Sequence, residues 1–254
     1  MNKKKLLKIK KEFEYNGFVK VKLFRKSEFK IIIKEAAKLI KDKIENKKIS
    51  NLKNWRDEDY LNQGLVKLDK KNHKNLVEIY NQLPKTTQIF KIISDERIIE
   101  IIQTLLNTKV SSNFYTDSLT IRMDTPNKKK YLYGFHKDRI TAIKNSDFIQ
   151  LWAPIFSDIT NKLGGLIISE RSHNFKGKIV TDDDFNQIKN FNQTKITRAK
   201  FSSKLSKFLK KNKQKQLTAQ LGEFIFFSPD LVHKSGVNIT SNKVRYVLNC
   251  FYHK

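Results

Sequence analysis

The chain has 254 residues, of which 39% are hydrophobic and 11% aromatic, and it carries a formal net charge of +27. That is enough apolar material for one large domain with a real core, and it excludes a chain that is disordered throughout. No apolar run is long enough to cross a bilayer, which argues against membrane insertion. The single cysteine, Cys250, excludes an intrachain disulfide.

The basic opening Met1-Asn2-Lys3-Lys4-Lys5 leads into a lysine-studded amphipathic segment. It lacks an apolar stretch and a small-residue cleavage site, so no secretory signal is read. With one cysteine, this points to a reducing, cytoplasmic setting. Residues 4–15 predict a helix with Leu6, Leu7, Ile9 and Phe13 on its apolar side, stopped by Asn16-Gly17. Residues 18–24 alternate as a strand does, with Val19, Val21 and Leu23 against Lys20 and Lys22. Ser27 is a cap for a long helix to about residue 46, bearing Ile32, Ile33, Ala36, Ala37, Ile40 and Ile44. Residues 47–71 read as polar and irregular. Helices are expected near 72–83 and 86–107, the second breaking at Ser94-Asp95.

After Thr108 the character changes. Short β-rich runs follow at Leu119–Met123, Phe148–Phe156, Leu166–Ser169, Glu223–Phe227 and Val244–Tyr252. Turn clusters separate them: Asp124-Thr125-Pro126-Asn127, Gly164-Gly165 and Ser228-Pro229-Asp230. Many short strands after a helical start predict an α+β chain, one domain over 1–254. A helical support region (1–107) precedes a barrel or jelly-roll core (108–254). Residues 181–216 interrupt the strands. Thr181 to Asp184 looks like a helix start, and Ser203 is a cap for a helix bearing Leu205, Phe208 and Leu209 with a lysine-rich outer face. The insertion reads as solvated surface or, alternatively, as a lid.

The charge invites a nucleic-acid reading, yet only 8 of the 52 basic residues are arginines, leaving 52 − 8 = 44 lysines. Arginine forks read bases and phosphates best and are not enriched here, so the composition argues against nucleic acid as the partner. The lysine excess instead favours a small anionic substrate.

Three residues carry chemistry. His136 and Asp138 lie in Tyr133-Gly134-Phe135-His136-Lys137-Asp138, two apart, and so share one side of an extended segment. His233 follows Ser228-Pro229-Asp230. Two imidazoles and one carboxylate can hold one face of an octahedral iron(II) and leave the other face open. A structural zinc site would draw on several cysteines, and there is one. The remaining histidines read differently: His173 as a turn residue, His73 and His253 as solvated. Arg245, Val247, Asn249 and Phe251 share one strand face, so an inward Arg245 needs an anion partner.

Three stretches carrying these residues resemble the phytanoyl-CoA dioxygenase family of iron(II)/2-oxoglutarate oxygenases. They are Tyr133 to Asp138, Leu151-Trp152-Ala153-Pro154 through Gly164-Gly165 to His173, and Gly222-Glu223-Phe224 through Ser228-Pro229 to Arg245. The opening Phe13-Glu14-Tyr15-Asn16-Gly17-Phe18 is also similar to that family's start. The resemblance implies a double-stranded β-helix core, with iron(II) held by His136, Asp138 and His233. It implies 2-oxoglutarate and O2 as cosubstrates, and hydroxylation of a small molecule coupled to formation of succinate and carbon dioxide. By position, Arg245 and Ser235 match residues that hold the distal carboxylate of 2-oxoglutarate. Trp152 and Tyr133 match aromatics of its pocket, although Trp152 reads equally well as core. Arg122, Tyr131, Arg139 and Gln150 flank the site and are candidates for substrate contact. Asp138 stands where halogenating relatives have a small residue, which argues for hydroxylation. The chain departs from the family at Arg171-Ser172-His173, where Gly-Ser-His is usual, and before Gly164, where an asparagine is common. Two other readings compete: a jelly-roll binding module without catalysis, and an oxygenase acting on nucleic acid.

Overall fold

The structure is a computed structural model, and it describes residues 1–46, 54–71, 73–108, 115–128, 132, 134–138, 147–176 and 202–254. The opening helix, Lys3–Asn16, ends where Gly17 takes a left-handed φ of 79° and donates its N–H to Phe13 O. Strand β1 (Phe18–Lys22) follows directly. The next helix, Lys30–Asn46, buries Ile32, Ala36, Ala37, Ile40 and Ile44, but Ser27 does not cap it. Ser27 lies inside a 3-10 turn, Lys26–Phe29, where Glu28 Oε2 accepts the Arg25 N–H. The described part of 47–71 also departs from the irregular chain expected. Asp57–Asp59, a π turn over Tyr60–Gly64 and Leu65–Lys71 form a nearly continuous helical stretch, burying Tyr60, Leu61, Leu65 and Leu68. Its many charges hid a sparse apolar stripe. Helices His73–Gln82, Thr87–Ile93 and Glu96–Leu105 complete this half, with Asp95 capping the last through the Arg97 N–H.

The strands beyond are β2 (Tyr115–Asp124), β3 (Phe148–Pro154), β4 (Leu166–Ser169), β5 (Gln214–Leu217), β6 (Glu223–Phe227), β7 (His233–Ser235) and β8 (Arg245–His253). They make two antiparallel sheets, a larger one in the order β1-β6-β3-β8-β2 and a smaller one in the order β5-β4-β7. Alternation gives the larger sheet two faces. Val19, Val21, Ile121, Leu151, Phe224, Phe226, Tyr246, Leu248 and Tyr252 pack into the helical layer. Trp152, Ile225, Phe227 and Val247 pack instead against Leu166, Ile168 and Leu217 of the smaller sheet. The larger sheet is therefore covered on both sides, and the space between the two sheets is a second, smaller core.

Two tyrosines tie the layers together, with Tyr252 donating to Ile93 O at 2.7 Å and Tyr246 donating to Leu61 O. The β8 strand runs through His253, which is wholly buried and stacks on Phe148 at 5.0 Å. The expectation of a solvated tail histidine was wrong because strand pairing with β2 and β3 continues to that residue.

Of the 181–216 insertion, residues 202–216 are described. The helix Ser203–Lys211 is capped by Ser202, one residue earlier than expected, through the Leu205 N–H. The helix start expected at Thr181 to Asp184 lies outside the described residues. No described helix is long and apolar enough to cross a membrane.

Candidate metal centre

The site is built on the outer edge of the smaller sheet. His233 opens β7 and pairs with Ile168, while Ser235 pairs with Leu166. Since Ile168 and Leu166 face the inter-sheet core, their cross-strand partners His233 and Ser235 face it too. Beyond β7, His136 and His233 exchange both backbone hydrogen bonds, at 2.9 and 3.0 Å. The segment carrying His136 thus extends the smaller sheet, and the two imidazoles become neighbours with ring centroids 4.2 Å apart. Asp138 Oδ1 lies 3.5 Å from His136 Nε2, and Asp138 Oδ2 lies 3.5 Å from His233 Nε2. One ligand atom from each of the three residues lies within 4.8 Å of the others.

The tautomers follow from the backbone. Nδ1 of His136 is 2.7 Å from Gly134 O, and Nδ1 of His233 is 2.9 Å from Leu231 O. A carbonyl can only accept, so each Nδ1 carries the proton and each Nε2 turns a lone pair toward Asp138. Burial lowers His233 to about 4. Burial, and then the neighbouring His233, lower His136 to about 4 as well. Both imidazoles are therefore neutral at neutral pH, as ligands must be. Burial raises Asp138 to about 6, with the His136 charge acting the other way. Adjacent ligands about 2.1 Å from one ion stand about 3 Å apart at a right angle. The observed 3.5 Å separations reach that with a small contraction. Two neutral nitrogens and one carboxylate oxygen on one side fit a facial iron(II) set.

The elements around the triad explain several sequence signals. Ser172 is wholly buried and its Oγ accepts the Val232 N–H at 2.7 Å, which fixes the backbone beside His233. His173 is 3.1 Å from Glu14 O, at the opening helix and away from the triad. Lys137, between His136 and Asp138, is 1% exposed and points to the opposite face, where its Nζ lies 5.9 Å from the Phe175 ring. Phe175 in turn packs on Phe208 of the helix Ser203–Lys211. The described end of the insertion is thus held against the segment that carries His136 and Asp138.

Across the inter-sheet space, Arg245 begins β8 and is 2% exposed. Its anion partner is Asp124, the last residue of β2 and its cross-strand neighbour. Nε and Nη2 donate to Asp124 Oδ2 at 3.0 and 2.7 Å. Nη1 donates to Gly236 O at 2.7 Å and to Gly164 O. Those two carbonyls converge because Gly164, Gly165 and Gly236 meet backbone to backbone; a Cβ on Gly236 would overlap Gly165 O, and one on Gly164 would lie 2.7 Å from Val237. Arg122 Nε also donates to Asp124, at 3.0 and 3.1 Å. In the sequence, Asp124 belongs to the turn cluster Asp124-Thr125-Pro126-Asn127. The only hint in the sequence was Arg122-x-Asp124, two positions that share a strand face.

Of the other expected site residues, Gln150 is buried on the inner face of β3, and its Oε1 accepts no hydrogen bond among the described residues. Trp152 belongs to the inter-sheet core. Tyr131, Tyr133 and Arg139 lie outside the described residues. A cleft of about 510 Å³ runs along the far edge of the sheets, between β1 and β5, lined by Tyr15, Lys20, Glu170, Arg171 and Lys215. It contains none of the triad, and its charges are of both signs, so the chemistry argues for the triad end.

No protein-family model matches the sequence, and no curated protein is significantly similar to it. Solved structures do resemble it. The epimerase SnoN, in complex with Fe3+, alpha ketoglutarate and nogalamycin RO, aligns with a TM-score of 0.62 at 12% identity, over 100% of this chain and 85% of its own. EctD from S. alaskensis with bound Fe aligns with a TM-score of 0.59 at 14% identity, over 100% of this chain and 76% of its own. AviO1 from Streptomyces viridochromogenes Tue57 aligns at 0.59 and 12%, over 98% of this chain and 94% of its own. The chain has the fold of non-heme alpha-ketoglutarate-dependent enzymes.

Proposed function

We propose that this chain is an iron(II)/2-oxoglutarate-dependent dioxygenase that hydroxylates a small molecule, folded as one domain around a double-stranded β-helix, in the phytanoyl-CoA dioxygenase branch. The observation that carries the reading is the convergence of His136, Asp138 and His233 on one side of a buried space, in a fold shared with non-heme alpha-ketoglutarate-dependent enzymes. The strand orders, and the motifs around Gly164-Gly165 and His233, support the finer placement.

His136, Asp138 and His233 would hold the iron(II), which supplies activation of O2 when 2-oxoglutarate is bound. The chain's part is placement. The carbonyls of Gly134 and Leu231 orient the two imidazoles, and the carboxylate of Asp138 offsets half of the ion's charge. Arg245, with Ser235, anchors the distal carboxylate of 2-oxoglutarate, and Trp152 closes the wall behind it. Gln150, a buried amide whose Oε1 accepts nothing among the described residues, faces the substrate, because such a group costs free energy until something donates to it. The inter-sheet core keeps water from the reacting atoms.

Succinate release from 2-oxoglutarate, measured with iron(II), oxygen and a panel of small anionic metabolites, tests this. Turnover that Asp138→Ala abolishes is the expected result. Binding of metal and 2-oxoglutarate without turnover on any substrate would return the chain to a binding module.

A further inference from the structure

The opening helix, Lys3–Asn16, turns one side inward and leaves the other uncovered. Ile9 is buried, and Leu6 and Phe13 pack beside it against the helical-layer core. Lys4, Leu7, Lys8, Lys11 and Tyr15 fall at helical spacing on the opposite side. All five are exposed, Leu7 by 50% and Tyr15 by 62%. The leucine and the tyrosine stand about 12 Å apart along the helix axis at the usual rise per residue.

The charge on this side is of one sign. Among the described residues, Lys4, Lys8 and Lys11 form no ion pair, and Glu14 on its rim is offset by Lys10 at 3.9 Å. At the C-terminal end the exposed guanidinium of Arg171 lies over the Tyr15 ring, 4.0 Å from its centroid. Exposed lysines alone attract any polyanion. The helix Ser203–Lys211 also turns Lys204, Lys207, Lys210 and Lys211 to solvent, but none of its large apolar side chains is exposed. The opening helix differs in setting Leu7 and Tyr15 among its lysines. A nucleic-acid backbone gives a leucine nothing to bury against. The boundary between headgroups and acyl chains takes both apolar side chains, while long lysines reach the phosphates above it.

We propose that the outer side of the opening helix is a docking surface for a bilayer that contains anionic phospholipid. The helix lies in the headgroup plane, with Lys4, Lys8, Lys11 and Arg171 on lipid phosphates and Leu7 and Tyr15 in the boundary below them. No described helix is long and apolar enough to cross, so the contact is peripheral, and salt weakens it. None of these residues belongs to the metal triad, so the inference stands apart from the oxygenase reading.

Sedimentation of the full chain with vesicles tests this. The chain should bind vesicles of phosphatidylcholine with about one third phosphatidylglycerol and leave phosphatidylcholine alone unbound. Lys4→Gln, Lys8→Gln and Lys11→Gln together should weaken binding roughly 100-fold, about fivefold for each cation at the surface. Leu7→Ser keeps every charge and should weaken it about three- to tenfold. Lys204→Gln, Lys207→Gln and Lys210→Gln together remove the same charge from the helix Ser203–Lys211, whose charges act through screening salt, and should change binding less than about threefold. Equal loss from the two triple variants would show attraction by net charge alone and overturn the proposal. So would a Leu7→Ser chain that binds as the parent does, or a parent that binds neither vesicle. Release from the vesicles by an equal phosphate concentration of single-stranded RNA would make nucleic acid the better partner, which also overturns it. The changed positions face solvent, so the variants should keep the parent's melting temperature. If the triple variant of the opening helix does not fold, Lys8→Glu alone should weaken binding roughly tenfold or more, and unchanged binding would overturn the proposal equally.

Discussion

Arg245 and Asp124 face each other as cross-strand neighbours of β8 and β2, and two guanidinium nitrogens converge on one carboxylate oxygen at 2.7 and 3.0 Å. Burial alone would raise the Asp124 carboxyl, but the guanidinium groups of Arg122 and Arg245 reverse that and hold it below the ordinary carboxylate range. The folded chain therefore keeps this group ionised to lower pH than the unfolded chain does. The stabilisation is present above the ordinary carboxylate range and is lost as pH falls through the lowered value. Asp124→Asn removes the buried carboxylate that Arg122 and the buried Arg245 share, and should cost about 3–5 kcal/mol at neutral pH, measured by urea unfolding. The difference from the parent should shrink as the medium becomes strongly acidic. A difference independent of pH would show that the pair does not carry this stability.

Metal affinity should follow one proton, not three. With both imidazoles held neutral down to about 4, the group that competes with the ion near pH 6 is Asp138. Mn(II) affinity should be flat above about pH 7 and fall about tenfold per pH unit below 6. Two ordinary histidines would give a steeper fall beginning near 6.5. Calorimetry across pH 5 to 7.5 separates the two behaviours.

Gly236→Ala should destabilise the chain by about 1–3 kcal/mol and weaken 2-oxoglutarate binding together, because the new methyl group pushes apart the two backbones whose carbonyls hold Arg245. Gly64→Ala is the comparison. Its methyl group meets the mobile end of Ile44, and its position is helical, so its cost should stay below about 1 kcal/mol and ligand binding should not change. Thermal melts and calorimetry on both variants read this.

Tyr252→Phe removes the hydroxyl that donates to Ile93 O from a fully buried position. The carbonyl left behind should cost about 1–3 kcal/mol. Because Tyr252 faces the helical layer, turnover per folded molecule should be unchanged. Lost turnover at full folding would mean that the helical layer reaches the site.

The strands Leu166–Ser169 and Glu223–Phe227 were legible to the residue, since each is a short apolar run bounded by glycine or proline turns. Gln214–Leu217 was not. Its first residues are polar and exposed, and only pairing with β4 makes it a strand. The helical stretch from Asp57 was hidden by charge, and His253 by its place near the end of the sequence. The three residues that converge were legible because His-x-Asp and a later histidine sit among recognisable turns. Asp124 was not, because nothing local distinguishes a carboxylate that closes a turn from one that reaches across to a neighbouring strand.

His136 and His233 are joined by a two-way backbone rung, and each ring is pinned to its own strand. The bite of this claw is thus set by peptide geometry and needs no cation to shape it. Stripping with a chelator should leave a folded apoprotein that reloads in one step, unlike a zinc finger, which falls apart when emptied.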